Sequence, residues 1–438
     1  MTPTTLESSP LRIAAIVGPF PSSSETFIES QITGLLDRGH EVDVFATHAD
    51  EGVTSAAIER TGVLDRTTWA PALPRRWARR ALSGLRLAAR YAPRRRAALA
   101  ACLDVRRFGR RAARLELLHS VVPMIDGAPY DLVHCHFGSS GAIGQLFKSL
   151  GLARHLAVSF YGNDVLRYVS AHGYGCYRDL FDEADLVIAL SERMRRQLIG
   201  YGSDPERTIV QRLGVDPTAF PFAPRTLGDE ETIRITTTAR LAPTKGLPDA
   251  IEAVAQVHAT CPRVRLEIIG EGPMRGELES LIDRLGAGTF VSLTGWLPND
   301  VVAKRLAATH LFLLPSITTY DGDEEGTPTA IIEALASGIP VVSTWHSGIP
   351  ELVTDRISGL LAPQRRPGHL AECLKTMIAS AADWPEMGRA GRATVEAGHD
   401  RREINDRLVS HFQRTCGRLP DADVLYRFDD LDVRSRAA

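Results

Sequence analysis

The sequence predicts an α/β protein built from two doubly wound, Rossmann-like parallel-sheet domains that face each other across a cleft. Short, mostly apolar runs recur along the chain, separated by segments whose apolar residues keep helical spacing. Several of these runs end in glycine-containing turns, as buried parallel strands do where they open onto a ligand cleft. The pattern stops at a polar, proline-rich stretch and then restarts, dividing the 438 residues into two lobes, each large enough to close its own core.

The first strand reads Leu11-Arg12-Ile13-Ala14-Ala15-Ile16-Val17 and closes at Gly18-Pro19. A helix follows, capped by Ser24, with Glu25 and Thr26 in its first turn. Phe27, Ile28, Ile32, Leu35 and Leu36 keep the spacing until Gly39 ends it. Val42 to Phe45 returns as a strand and completes a strand-helix-strand unit.

From Arg75 to Arg114 the chain carries a dense run of arginines against a single acid, Asp104. Trp77, Leu82, Leu85, Leu87, Tyr91, Leu99, Leu103 and Phe108 give this insert an apolar side. A helical hairpin interrupted near Pro93, with a strongly cationic face, is expected. That face is either simply solvated or adsorbs to anionic lipid, where each basic residue near the surface contributes about 1 kcal/mol. A nucleic-acid partner is not expected, because no aromatic-interleaved binding module accompanies the charge.

Asp131 to Cys135 and Ala157 to Phe160 read as further strands, followed by Phe137-Gly138 and Tyr161-Gly162-Asn163-Asp164. Leu186 to Leu190 precedes Ser191, a helix cap. The first domain is thus expected over 1–216 and the linker over 217–231, with Pro217, Pro221 and Pro224. The second domain, 232–400, restarts with strands at Ile233–Thr237, Val264–Ile269, Val291–Leu293, Leu311–Leu314 and Val341–Ser343. A C-terminal helix and tail, 401–438, are expected to pack back across the domains, since Leu425, Tyr426, Phe428 and Leu431 give the tail apolar matter to dock.

With 44% hydrophobic residues, 24% charged residues and a net charge of -2, the chain is globular rather than disordered, and its charge names no partner. Six cysteines without a CxxC pair suggest neither a zinc cluster nor a disulfide framework, and fit a reducing compartment. Met1 to Pro10 lacks the basic and apolar regions of a signal peptide. No uncharged apolar run reaches the roughly 18 residues that span a bilayer. A cytoplasmic protein is expected.

The segment with the most chemistry is Glu325-Gly326-Thr327-Pro328 and the helix it opens, which contains Glu333 and ends at Gly338 before the strand at Val341. Thr327 is expected as the cap and Pro328 as the first helical residue. Such a helix start offers unpaired N-H groups to an anion or to sugar oxygens, and carboxylates accept paired hydrogen bonds from vicinal hydroxyls. Alone, the segment is equally a capped amphipathic helix with surface acids. Arg240-Leu241-Ala242-Pro243-Thr244-Lys245-Gly246 adds two cations around a tight loop after a strand, suited to a diphosphate whose charge grows as it leaves. Gly270-Glu271-Gly272-Pro273 follows another strand and would let a ligand approach the backbone closely.

In this order these segments resemble the retaining glycosyltransferases of the GT-B fold, family 4 (glycosyl transferases group 1). The likeness extends through Gly348-Ile349-Pro350-Glu351-Leu352-Val353 and Ser358-Gly359-Leu360-Leu361. In the first lobe Pro21-Ser22-Ser23-Ser24-Glu25-Thr26-Phe27-Ile28, His134-Cys135-His136-Phe137-Gly138 and Leu213-Gly214-Val215-Asp216 resemble members that build exopolysaccharides such as colanic acid.

The resemblance implies that Arg240 and Lys245 hold the diphosphate of a UDP- or GDP-sugar, the donor substrate, with no separate cofactor. It implies that Glu333 grips the ribose and Glu325 the transferred sugar, next to Gly326, Thr327 and Pro328. Gly18 would approach the phosphates, Gly270 and Gly272 would belong to the donor site, and Trp296-Leu297 would line the base. The first domain would bind a glycan or lipid-linked sugar acceptor at the inner face of the cytoplasmic membrane, with residues 75–114 touching anionic lipid.

One departure stands out: where the family commonly carries His-Gly near the reacting sugar, this chain has Tyr161-Gly162. Tyrosine titrates near 10 and cannot shuttle protons as histidine does at neutral pH, so His134 and His136 are the candidates to compensate. Asp321-Gly322-Asp323 invites a metal, but the resemblance implies metal-independent transfer. A non-catalytic nucleotide-sugar-binding scaffold and a sugar-nucleotide epimerase of the same fold are the competing functions.

Overall fold

In the computed structural model, residues 9–419 are described except 23–24, 51–53, 72, 125–128 and 229–230, with backbone only at 93–95 and 123. The first lobe holds seven parallel strands: β1 (Arg12–Ile16), β2 (Glu41–Ala46), β3 (Thr67–Trp69), β4 (Tyr130–His136), β5 (Ala153–Ser159), β6 (Leu186–Ala189) and β7 (Thr208–Val210). Their order is β3-β2-β1-β4-β5-β6-β7. The second lobe holds β8 (Ile233–Thr238), β9 (Val264–Ile269), β10 (Val291–Gly295), β11 (Leu311–Leu314), β12 (Val341–Thr344) and β13 (Gly359–Ala362), ordered β10-β9-β8-β11-β12-β13. Both sheets are wholly parallel, and this with the order is the GT-B arrangement of two Rossmann-like domains. Strand order reverses at β1/β4 in one sheet and at β8/β11 in the other. The loops at those switch points, following the strands' C-terminal ends, are where such sheets bind ligands.

Ile13 pairs with Val42 on one side and Leu132 on the other, and all three are fully buried. Their apolar runs are what a strand covered on both faces requires. One face of the first sheet packs a cluster that includes Leu11, Ile13, Ile28, Ile32, Leu408 and Phe412. Leu408 and Phe412 come from the C-terminal helix Arg401–Thr415, so the end of the chain completes the core of the first lobe. This helix lies on helix Thr26–Leu36: Arg38 Nε reaches Asp406 at 2.6 Å and Asn405 Nδ2 donates to Ser30 O at 3.3 Å. A Cβ on Gly34 would fall within the Asn405 side chain. The returning chain crosses beside the outgoing one, where Val215 N donates to His399 O at 3.0 Å and Arg401 N to Val215 O at 2.8 Å.

The arginine-rich insert differs from expectation. Its first helix, Trp77–Cys102, runs on through Pro93, because proline deletes one hydrogen bond while the packing of Ala98, Leu99 and Cys102 into the core holds the C-terminal turns in line. The hairpin turns instead at Leu103-Asp104, where Asp104 caps helix Val105–Ala113 by accepting from Arg106 N and Arg107 N. The expected cap Ser24 and the apolar tail from Asp421 to Arg434 lie outside the described residues. Among the described residues no helix is long and apolar enough to cross a membrane, and all six cysteines are free.

Candidate active site

At the β8/β11 switch point of the second sheet, the strand ends in Arg240 and a one-turn helix, Pro243–Lys245. Gly246 closes it at φ 61°, and a Cβ there would strike Pro315 O, so this glycine lets the loop lie against the start of the β11 loop. Lys245 consequently meets Glu325 in an ion pair in which each side chain is 17% exposed. Arg240 is exposed and has no ion pair among the described residues. A free cation thus stands beside a cation already matched to a carboxylate.

Glu325 is held from behind. Its backbone N-H donates to His346 Nε2 at 3.1 Å, and burial lowers the His346 pKa to about 4, so the ring is neutral and can accept. His346 follows β12 directly. Glu324, beside it, is buried and reaches Arg193 of the first lobe at 3.0 Å.

Helix Thr329–Ala336 begins one residue later than expected. Pro328 occupies the cap position at φ -70° and ψ 112°, with no side-chain cap bond. The Thr327 hydroxyl turns inward instead: its Oγ1 is buried without a hydrogen-bond partner, close to where a Cβ on Gly348 would sit at 3.0 Å. The first-turn N-H groups therefore have no side-chain cap. Glu333, one turn in, is half-buried; its carboxylate has no hydrogen bond among the described residues, and burial raises its pKa to about 7. Gly326 packs on Tyr161 O of the first lobe, where even a Cβ would not fit.

Gly270 and Gly272 are required by the local backbone. At φ 147° and 159°, their absent side chains leave room for the protein's own backbone, the carbonyls of Ala239 and Leu241 beside the Arg240 loop. This close approach fixes the loop. Trp296, 62% exposed, and Leu297 follow β10 at the edge of the same sheet.

In the first lobe Gly18 ends β1, half-buried, and a Cβ on it would lie 3.8 Å from Glu25 Oε2. Tyr161 ends β5 and is only 6% exposed, ringed by Phe27 and Phe137 at centroid distances of 4.7 and 4.9 Å. Its hydroxyl meets His136 Nδ1 at 2.7 Å, and the rings stack. His134 Nε2 bonds Ser159 Oγ at 2.8 Å. Burial lowers the His134 pKa to about 3 and depresses His136 well below its ordinary range, while it pushes the Tyr161 hydroxyl up. All three groups are neutral at pH 7, and the two imidazoles sit beneath the surface rather than in the cleft. His136 supports Tyr161 directly, His134 packs on His136 at a centroid distance of 4.1 Å, and neither is exposed as a histidine in the cleft would be. Asp164, fully buried, accepts from Gly138 N, Tyr161 N and Gly162 N at 2.9–3.0 Å and sets this turn.

Asp321 and Asp323 both face Arg167 of the first lobe, at 3.0 and 3.6 Å. Among the described residues no cluster of three or more His, Cys, Asp or Glu could hold a metal. The sequence missed His346, Glu324 and Glu25 as site residues. Their shared signal is position: each lies in a loop following a strand, at the end where the cleft opens.

Two family models match the chain, the glycosyl transferases group 1 model over residues 222–394 and the glycosyl transferase 4-like domain over residues 24–214. The putative colanic acid biosynthesis glycosyltransferase WcaL of Salmonella typhimurium is 35% identical over 92% of this chain and 100% of its own. The amylovoran biosynthesis glycosyltransferase AmsK of Erwinia amylovora is 32% identical over 86% of this chain and 93% of its own. Among solved structures, HepE of Anabaena in complex with UDP superposes with a TM-score of 0.68 at 20% identity, over 92% of this chain and all of that one. Its complex with UDP-glucose gives the same score at 19% identity and equal coverage.

Proposed function

Because this chain belongs to the glycosyltransferases of group 1, we propose that it moves a sugar from a UDP- or GDP-sugar to a lipid-linked or polysaccharide acceptor, with retention of anomeric configuration. Its product would enter an exopolysaccharide or other cell-surface glycan, as the names of the colanic acid and amylovoran relatives suggest. HepE, crystallised with UDP and with UDP-glucose, supports a nucleotide-sugar donor.

The Lys245–Glu325 pair beside unpaired Arg240 carries this proposal. The two cations suit the diphosphate, whose negative charge grows as it departs, and the chain supplies them without a metal. Glu325 accepts hydrogen bonds from hydroxyls of the transferred sugar, and Glu333 from the ribose. The acceptor oxygen bonds to the anomeric carbon on the face the diphosphate leaves. The bond from that carbon to phosphate oxygen breaks, its electron pair stays with the phosphate, and the phosphate takes the acceptor's proton. No protein nucleophile is involved.

The acceptor's lipid would lie at the cytoplasmic face of the inner membrane. Arg75, Arg76, Arg79, Arg86, Arg90, Arg106 and Arg110 are exposed and lack ion pairs among the described residues. Trp77, 58% exposed, and Leu85, 68% exposed, are spaced to share a helix face. Cations around exposed apolar side chains suit an anionic lipid surface better than water alone.

The deciding experiment titrates the protein with UDP, GDP and ADP and their sugar conjugates, with chelator present, following heat of binding and slow donor hydrolysis. Micromolar binding of one nucleotide with hydrolysis of its sugar conjugate supports the proposal. Binding with neither hydrolysis nor transfer favours a scaffold, and no binding removes the proposal.

A further inference from the structure

We propose that Glu25 is the acceptor-binding carboxylate: it accepts a hydrogen bond from a hydroxyl of the acceptor sugar and aims it at the anomeric carbon. This rests on the transferase function proposed above and adds the group on the first lobe that the family resemblance left unassigned.

Glu25 precedes helix Thr26–Leu36, at the switch point of the first sheet. Its Oε2 lies against the Gly18 loop and is buried with no hydrogen-bond partner. A carboxylate oxygen withdrawn from water and left unpaired is costly, and no hydrogen bond among the described residues repays that cost. Burial first, and the neighbouring Asp50 second, push its carboxyl up to about 7 against the pull of Arg240 from the other lobe. Tyr161 also senses its charge. Glu25 is therefore electrically coupled both to the free cation of the proposed diphosphate site and to the tyrosine at the β5 end.

The chemistry of its partner follows. An ionised carboxylate repels phosphate and accepts from hydroxyl groups. The sugar of the donor already has Glu325, on the second lobe. A hydroxyl reaching Glu25 thus belongs to the molecule that enters from the first lobe. The scaffold is rigid enough to aim it: the C-terminal helix clamps helix Thr26–Leu36 through Arg38–Asp406 and Asn405–Ser30, and Ser55, on the opposite side, bonds Glu29.

The test compares the full-length wild type with Glu25→Gln and Glu25→Ala, using whichever UDP- or GDP-sugar the wild type hydrolyses and lipid-linked saccharides extracted from bacterial membranes. Affinity for the free nucleotide should stay within about twofold, while acceptor KM rises about 10- to 100-fold in the alanine variant and less in the glutamine variant, the range for losing a hydrogen bond to a charged group. The melting temperature should hold or rise, since an unpaired buried charge is removed; a merely structural glutamate would lower it. Unchanged acceptor KM overturns the assignment, and so does nucleotide affinity falling in step with transfer, which would put Glu25 on the phosphate side. A wild type that hydrolyses no nucleotide-sugar and transfers none overturns the transferase function, and the assignment with it.

Discussion

Replacing Glu333 by glutamine should separate the stability of the second lobe from its function. The rise of the Glu333 pKa from the ordinary 4.5 to about 7 corresponds to about 3 kcal/mol of destabilisation once the proton is off. The side chain is only half-buried, so solvent reduces this to about 1–2 kcal/mol. The sign follows from proton uptake. Between pH 4.5 and 7 the folded state binds more protons than the unfolded one, so stability falls as pH rises through this window, and the whole penalty is present above about 7. Glu333→Gln removes the penalty. Its melting temperature should match the wild type near pH 4 and exceed it by about 2–8 °C at pH 8, given about 2–4 °C per kcal/mol for a domain of this size. Adding the preferred nucleotide should reverse the order at pH 8. Loss of charge-assisted hydrogen bonds to the ribose weakens binding about 10- to 100-fold, and ligand stabilisation shrinks with it. Differential scanning fluorimetry at the two pH values, with and without UDP or GDP, reads both effects. A melting difference that does not change with pH would refute the buried-carboxylate reasoning, and unchanged nucleotide stabilisation would refute the ribose role.

Lys245→Ala should lower transfer at least about 100-fold, the scale for removing a preorganised charge at a leaving group, and should destabilise the fold by about 1–2 kcal/mol because Glu325 loses its partner; activity near wild type would exclude Lys245 from the reaction. His346→Ala should reduce kcat about 5- to 10-fold through the lost bond from Glu325 N-H while leaving nucleotide affinity intact, so a fall in nucleotide affinity instead would show that this histidine supports the wrong part of the site in our account. Charge reversal at Arg79, Arg86 and Arg90, or Trp77→Ser, should weaken flotation with phosphatidylglycerol vesicles by about 1 kcal/mol per residue with little change in nucleotide binding, whereas equal binding of all variants to neutral vesicles would remove the lipid contact.

Most of the sheet was legible because a strand buried on both faces must be mostly apolar, and Leu11–Val17, Leu186–Leu190 and Leu311–Leu314 have no other reasonable reading. The three-residue edge strands β3 and β7 escaped notice. Thr67-Thr68-Trp69 and Thr208-Ile209-Val210 are too short for a periodic signal and become strands only when the neighbouring strand supplies their hydrogen bonds. The same holds for Pro93, whose helix-breaking tendency yields to packing further along the helix.

The sequence by itself determined the two-lobed parallel architecture, and it singled out Arg240, Lys245, Glu325 and Glu333, because strand burial, helix capping and charge in a strand-end loop are local properties written in adjacent residues. Only the tertiary structure decided which of these groups meet. Lys245 and Glu325 are 80 residues apart and pair because β8 and β11 are neighbours in the sheet. His134 and His136 proved to be buried, because both lie on one face of β4 in a sheet covered on both sides. Glu25 and His346 acquired their surroundings from elements distant in the chain. Desolvation and pairing are sums over everything packed around a side chain, so no local pattern of residue types can state them.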